Sequence, residues 1–449
     1  MLMLLLALAY GIHYAWYAFP IISGFSAKNA CSCAFIQGRS KASIMKEELG
    51  SFPLSLGSIE INNNDASVTG TVLGFAKRKA IYRPGLGCTL INDFAESEVR
   101  AQKFLVPEPS LMADTSAWIT GLAAVDTAEH RFDSSRLIHA IEFAFNHHFA
   151  DKEVHTRAMV VVQHGKIIGE KYAPGYDVNS RFLGWSMAKS VTSSLIGILV
   201  KDGKLQVSQP APIPKWHDGN DKRKSITVEH LLQQTSGLDF VEDYGGYSNV
   251  TNMLFNRGNM ADYMEKLPLK QQPGTAFYYS SGNSNLLSGI IKRLLPTQQY
   301  HAFPYQRLFH KIGMHHTLME PDASGTYIGS SYIYASARDY ARFGWLYAND
   351  GMWNEERILP EGWVRQTVTP PAANKLKNYG YQFWLNGLDP EDASKREFPA
   401  APSDMFYADG YGGQRIYIMP TQKLVIVRMG LNKFDEQQFL HKLMQAINQ

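Results

Sequence analysis

In the stretch FLGWSMAKSVTSSLIGILV (182–200), a hydroxyl at Ser186 and a lone cation at Lys189 head an otherwise apolar run. A serine hydroxyl is a poor nucleophile until a neighbouring base takes its proton. A lysine in apolar surroundings loses proton affinity and can share that work. Read as the start of a helix, the stretch puts residues three apart on one face, so Lys189 sits under Ser186. The free N–H groups of a first helical turn also suit an oxyanion. The bland alternative is a helix cap followed by a solvated lysine. Spacing alone does not separate the two readings, because S-x-x-K recurs at Ser43 and Lys46 in SIMKEELG, where nothing suggests a cleft.

Two further stretches carry chemistry. In PGTAFYYSSGNSNLLSGIIKRL, Pro273 and Gly274 turn the chain, FYYS is extended and a helix follows. Tyr279 is the candidate there, since a phenol at such a turn can enter a cleft and a tyrosinate beside an ammonium is a general base. Tyr278 faces the other way, as neighbours on extended chain do. In DGYGGQRIYIMP, Gly410, Gly412 and Gly413 let backbone approach a ligand, and a free N–H at that edge would complete an oxyanion hole with Ser186. GWSMA also comes near the G-x-S-x-G elbow. Its fifth position is Ala188, however, DVNSRFL is a poor strand, and His441 in the last helix is badly placed for a triad.

The elements that must position these residues begin at DSSRLIHAIEFAFNHHF, where Asp133 caps a helix. RAMVVVQ, HGK and IIGEKYA then read as a hairpin, and the chain ends on the mirror arrangement: QRIYIMP, TQK, LVIVRMG and the helix DEQQFLHKLMQAINQ. One antiparallel sheet built from both ends of the domain and covered by helices is expected, with the mainly helical middle, 185–400, inserted. Residues 54–92 alternate apolar runs with turns and predict a small β-rich region, followed by a connection over about 100–130.

In this order the motifs resemble the penicillin-recognising serine hydrolase superfamily, in its class C β-lactamase-like branch with esterases and 6-aminohexanoate-dimer hydrolases. The phrases that carry the resemblance are WSMAKSVTSSLIG, ITVEHLLQQTSGLDF, PGTAFYYSSGNSNLLSGII, GSSYIYASARDYARFGWLYANDGMW and GYGGQRIYIMP, over 130–449. The resemblance implies an α+β fold of the β-lactamase/transpeptidase type. It implies that Ser186 is acylated, that Lys189 and Tyr279 relay protons, and that the backbone N–H groups of Ser186 and Gln414 form the oxyanion hole. The strand motif falls on Tyr411, Gly412 and Gly413, which with Ser281 are the candidate substrate contacts. Ser281 stands where β-lactamases carry asparagine, and Tyr411 where they carry a carboxylate-binding lysine. Arg415 is the nearby cation that could replace that lysine. The implied activity is ester or amide hydrolysis on a small molecule, without cofactor or metal. A β-lactamase or DD-peptidase is the first alternative, and a non-catalytic binding protein of the same fold the second. The aromatics Trp216, Tyr244, Tyr247, Tyr381 and Trp384 are candidates for specificity or for packing.

Composition narrows the partners. The chain has 449 residues, 45% of them hydrophobic, and a net charge of +3 without a long basic block, so a nucleic-acid footprint is missing. MLMLLLALAYGIHYAWYAFPIISGF carries no charge before Lys28 and predicts an N-terminal membrane anchor over 1–25. It has no basic start or small-x-small cleavage site, and AKNA before Cys31 is no lipobox. The expected division is therefore 1–25 membrane anchor or signal segment, 26–129 small β-rich region and linker, and 130–449 hydrolase domain, with the catalytic domain outside the cytoplasmic membrane. The basic residues Lys28, Arg39, Lys41 and Lys46 oppose that orientation. The three cysteines favour it, through a disulfide from Cys88 to Cys31 or Cys33. Three cysteines without paired histidines do not make a zinc site.

Overall fold

The computed structural model describes residues 2–107, 132–145, 148–149 and 152–447. Most of the expected connection over 100–130 lies outside them. The chain opens on a long helix, α1 (Leu2–Phe35), followed by an antiparallel meander of β1 (Gly57–Asn62), β2 (Ser67–Val72), β3 (Phe75–Arg83) and β4 (Gly87–Leu90). The meander is the expected β-rich region. The second half of α1 lies against it, made compatible with close approach by small residues: Ser23, Ser26, Ala27 and Ala30 are all buried.

The membrane segment is not found. Among the described residues no helix is long and apolar enough to cross a membrane. α1 also passes without a break through the expected boundary at residue 25. From Ile21 onward its uncharged run is buried in protein, and it carries Lys28, whose ammonium pairs with the buried carboxylate of Glu320 and lies 3.9 Å from the centre of the Tyr332 ring. Ser32 Oγ donates to Glu320 Oε1 at 2.9 Å, so the pair is embedded in hydrogen bonds, as a buried ion pair must be to offset desolvation. Cys31 bonds Cys88 on β4, with Cα atoms 6.0 Å apart, and ties α1 to the meander. Cys33 is free and buried, and burial pushes its thiol up to about 12.

The main sheet of the rest of the chain is six-stranded and antiparallel. α2 (Ser134–Phe145) leads into the hairpin β5 (His155–Gln163) and β6 (Lys166–Tyr172). The Asp133 cap is present, with its Oδ1 accepting from Arg136 N at 3.0 Å. Between this hairpin and the closing strands lie α3 (Met187–Lys201), α4 (Asn249–Asn256), α5 (Ser281–Leu294) and α6 (Ala337–Ala348). The closing strands are β7 (Trp384–Leu385), β8 (Phe406–Gly410), β9 (Gln414–Met419) and β10 (Leu424–Leu431), before α7 (Glu436–Ile447). The order is β7-β8-β9-β10-β5-β6, so strands from both ends of the domain meet where β10 pairs with β5.

Both faces of this sheet are covered, which explains why RAMVVVQ is apolar at successive positions and not alternating. Met159 and Val161 join Leu137 and Ile141 of α2 and Phe439, Leu440 and Leu443 of α7 in one core. Ala158, Val160 and Val162 face the other core, with residues of α3 and α6. α3 is buried nearly all round, and three of its hydroxyls find partners within the protein. Ser190 Oγ donates to Gln382 O at 2.7 Å, Thr192 Oγ1 to Gly329 O at 2.9 Å, and Ser194 Oγ lies 2.8 Å from the Tyr347 hydroxyl.

Candidate active site

Ser186 reaches its position through a tight turn. The short strand Phe182–Leu183 pairs with Tyr334 and Ala335, and Gly184 N donates to Ile333 O at 2.9 Å. Glycine is required at 184, since a Cβ there would lie 2.4 Å from the Tyr340 hydroxyl oxygen. Trp185 follows with φ of 48°, a left-handed conformation uncommon outside glycine and a mark of functional turns. Its indole is held by Phe25 of α1 (6.3 Å, stacked), Tyr332 (5.9 Å) and Tyr411 (5.7 Å, edge-on).

Ser186 then stands at the N-cap of α3, yet its side chain makes no capping bond. This decides against the bland reading of SMAK. The hydroxyl instead accepts from Lys189 Nζ at 2.9 Å. Lys189 is buried, and its ammonium is also directed at Ser281 Oγ (3.0 Å) and Ser330 O (3.1 Å). Burial pulls it down to about 8, partly opposed by the Glu242 carboxylate, so it holds and releases a proton near neutrality. At SIMK, by contrast, Ser43 Oγ is 2.9 Å from Glu47 Oε1, beside the Arg39 guanidinium, in an exposed network.

Tyr279 joins them. Its ring lies 4.8 Å from Lys189 Nζ, and the neighbouring Ser186 hydroxyl acts to lower the phenol. Trp384 stacks on the ring at 5.4 Å and Tyr379 meets it edge-on at 5.8 Å. Burial, then the nearby Tyr379 and Glu242, raise the phenol well above its ordinary value, so the resting group is neutral and a proton donor. Tyr278 faces away as expected, with its hydroxyl accepting from Glu242 N at 2.9 Å.

Ser281 is present but has a different place from the one expected. It is fully buried, so it is not offered to a substrate. Its Oγ donates to Glu242 Oε1 at 2.6 Å while accepting from Lys189, and its N–H donates to Glu242 Oε2 at 2.8 Å. The Tyr244 hydroxyl lies 2.9 Å from the same carboxylate and 3.2 Å from Ser281 Oγ. Glu242 was not singled out from sequence, because an acid in a Gly- and Tyr-rich loop reads as solvated. The Ser330 carbonyl is backbone and leaves no side-chain signal.

The glycine segment is a hairpin turn between β8 and β9 and not itself a strand. Gly410 ends β8 opposite Gln414, the first residue of β9. Gly412 and Gly413 take positive φ in the turn, and their carbonyls accept from Arg428 at 2.9 and 3.0 Å. The backbone pressed against the nucleophile turn belongs to Gly410, where a Cβ would stand 2.2 Å from Gly184 O. Gln414, the expected oxyanion donor, lies across the hairpin, and its side-chain amide bonds Tyr411 O and Gly430. Tyr411 itself is 73% exposed. Arg415 does not replace a carboxylate-binding lysine, because its guanidinium is held by Glu436 (2.7 Å) and Asp409. Of the candidate aromatics, Trp216 and Tyr381 are buried packing residues, Trp384 supports Tyr279, and Tyr244 and Tyr247 are open to solvent.

The profile of the beta-lactamase family matches residues 144–443. The chain belongs to this family. The 6-aminohexanoate-dimer hydrolase of Paenarthrobacter ureafaciens is 22% identical over 290 residues, 62% of this chain and 73% of that protein. Among solved structures, EstCE1, described as a hydrolase with promiscuous acyltransferase activity, superposes with a TM-score of 0.54 at 14% identity, covering 70% of this chain and 97% of its own. A penicillin-binding protein homologue from Caulobacter crescentus gives 0.52 at 14% identity, covering 70% and 96%. The likeness to these structures is one of fold. Residues 2–107, including α1, precede the family match.

Proposed function

We propose that this beta-lactamase-family hydrolase cleaves a carboxylic ester or amide through an acyl-enzyme on Ser186. The observation that carries the proposal is the buried Lys189 ammonium 2.9 Å from a serine hydroxyl that makes no other helix-capping bond. In its neutral form Lys189 takes the Ser186 proton as Oγ attacks the carbonyl carbon. The phenol of Tyr279, neutral at rest, gives its proton to the leaving oxygen or nitrogen, and the proton that Lys189 took from Ser186 passes to the resulting phenolate, leaving Lys189 neutral for deacylation. Water entering on the same path releases the acid and regenerates Ser186.

The tetrahedral oxyanion is held by the Ser186 N–H at the start of α3 and by the N–H of Tyr411. Tyr411 replaces Gln414 in this role because it follows Gly410, whose backbone meets the nucleophile turn. A carboxylate-binding β-lactamase or DD-peptidase would need a cation beside this edge, and Arg415 is committed to Glu436 and Asp409. The Cys31–Cys88 disulfide supports an oxidising compartment outside the cytoplasm. Labelling with a fluorophosphonate followed by peptide mass spectrometry tests the proposal: the adduct is expected on Ser186 and absent from Ser186→Ala. Full esterase activity in Ser186→Ala would overturn it.

A further inference from the structure

α1 lies outside the family match, yet it reaches Trp185, the residue before Ser186. Tyr17, Ile21 and Phe25 recur every four residues and share one face of the helix over a length of about 12 Å. At one end of this stripe Phe25 stacks on Trp185, the residue before Ser186, and meets Phe255 of α4 at 5.4 Å. Ile21 in the middle is buried. At the other end Tyr17 meets Tyr247 at 5.0 Å. Tyr247 belongs to the loop 241–248, which also supplies Glu242 and Tyr244 to Ser281. α1 therefore bridges the two sides of the site, from the nucleophile turn to the loop that holds the lysine network.

Large aromatic side chains stand open along this bridge. Tyr17 is 40% exposed, Tyr244 55% and Tyr247 48%, while Tyr411 stands edge-on to Trp185 across the nucleophile turn. The exposed pair Tyr17 and Tyr247, in ring contact at 5.0 Å, and Tyr411 against Trp185 at 5.7 Å offer ring faces with polar tips, the surface that suits uncharged apolar groups. Arg415, the cation nearest in sequence to Tyr411, is turned into its own ion pairs, so no charge from it enters this surface.

We infer that Tyr17, Tyr244, Tyr247 and Tyr411, with Trp185, form an aromatic subsite continuous with Ser186 that takes an uncharged aryl or long alkyl group of the substrate, with α1 as its wall. This rests on the hydrolase reading above and adds the class of substrate to it. The N-terminal unit is then a determinant of specificity and not only a prop for the fold.

The test uses the full disulfide-bonded chain. kcat/KM is measured for wild type, Tyr17→Ala and Tyr247→Ala in two arms. One arm compares 4-nitrophenyl hexanoate with 4-nitrophenyl acetate, and the other compares 1-naphthyl acetate with ethyl acetate. The ratio of large to small substrate is expected to fall about tenfold in both variants, as for loss of one apolar contact in a pocket. The arm in which it falls tells whether the group lies on the acyl or the leaving side. Wild-type ratios in both arms overturn the inference, as does a uniform loss on all four esters with altered circular dichroism in both variants. If 4-nitrophenyl acetate is turned over and the turnover is lost in Ser186→Ala, the hydrolase reading stands whatever the ratios show. If no ester is turned over through Ser186, both readings fall.

Discussion

Replacing Glu242 with glutamine isolates the electrostatics of the site. The substitution keeps the size of the side chain and an oxygen for Ser281, but removes the carboxylate charge that opposes the desolvation of Lys189. Carboxylate and ammonium are linked through Ser281 Oγ by contacts of 2.6 and 3.0 Å, which sets them about 5 Å apart. At an effective dielectric of about 20 that separation is worth roughly 3 kcal/mol. Glu242 is partly open to water, and screening leaves about 1 kcal/mol, or about 0.7 of a pH unit. The sign follows from the direction of the effect. Glu242 raises Lys189, so its loss lowers the amine below about 8 and makes more of it neutral at pH 7. The acid limb of kcat/KM, followed with an activated ester between pH 5 and 10, should rise near pH 8 in wild type and move to lower pH in Glu242→Gln. A limb that stays in place, or moves to higher pH, would refute Lys189 as the base tuned by this carboxylate.

Two other substitutions probe the frame of the site. Gly410→Ala puts a Cβ against Gly184 O and displaces the Tyr411 N–H, so kcat should fall about 10²- to 10³-fold, the usual cost of one oxyanion donor, with the fold intact by circular dichroism. Lys28→Met leaves Glu320 buried without its partner and should destabilise the protein by about 3 to 5 kcal/mol, read from the urea midpoint of unfolding.

How much of this was legible in the sequence depends on where the determining contact lies. Ser186 and Lys189 are fixed by one helical turn, and local spacing reports such pairs directly. Tyr279 was legible as well, because its turn precedes a helix whose start carries its own polar signature. The two hairpins that begin and end the domain were legible because each pairs with itself. Their meeting at β10 and β5 followed from symmetry of pattern.

The misread features depend on distant partners. A charge-free run looks the same whether lipid or protein covers it, and in α1 only Lys28 and the small residues around it hinted that a sheet and a buried acid, Glu320, were waiting. The glycines at 410, 412 and 413 carry no side chains to fix register, so strand and turn could not be told apart. For Ser281, a candidate substrate contact in the sequence, the partner Glu242 lies in another loop and speaks to it only in three dimensions.

The most direct measurement is rapid-quench mass spectrometry of the intact protein during turnover of a slow-leaving ester. The proposed mechanism predicts a transient mass gain equal to the acyl group, mapped to the peptide containing Ser186 and absent from Ser186→Ala. Turnover by wild type with no acylated species at any time, or an acyl group mapped to another residue, would contradict it.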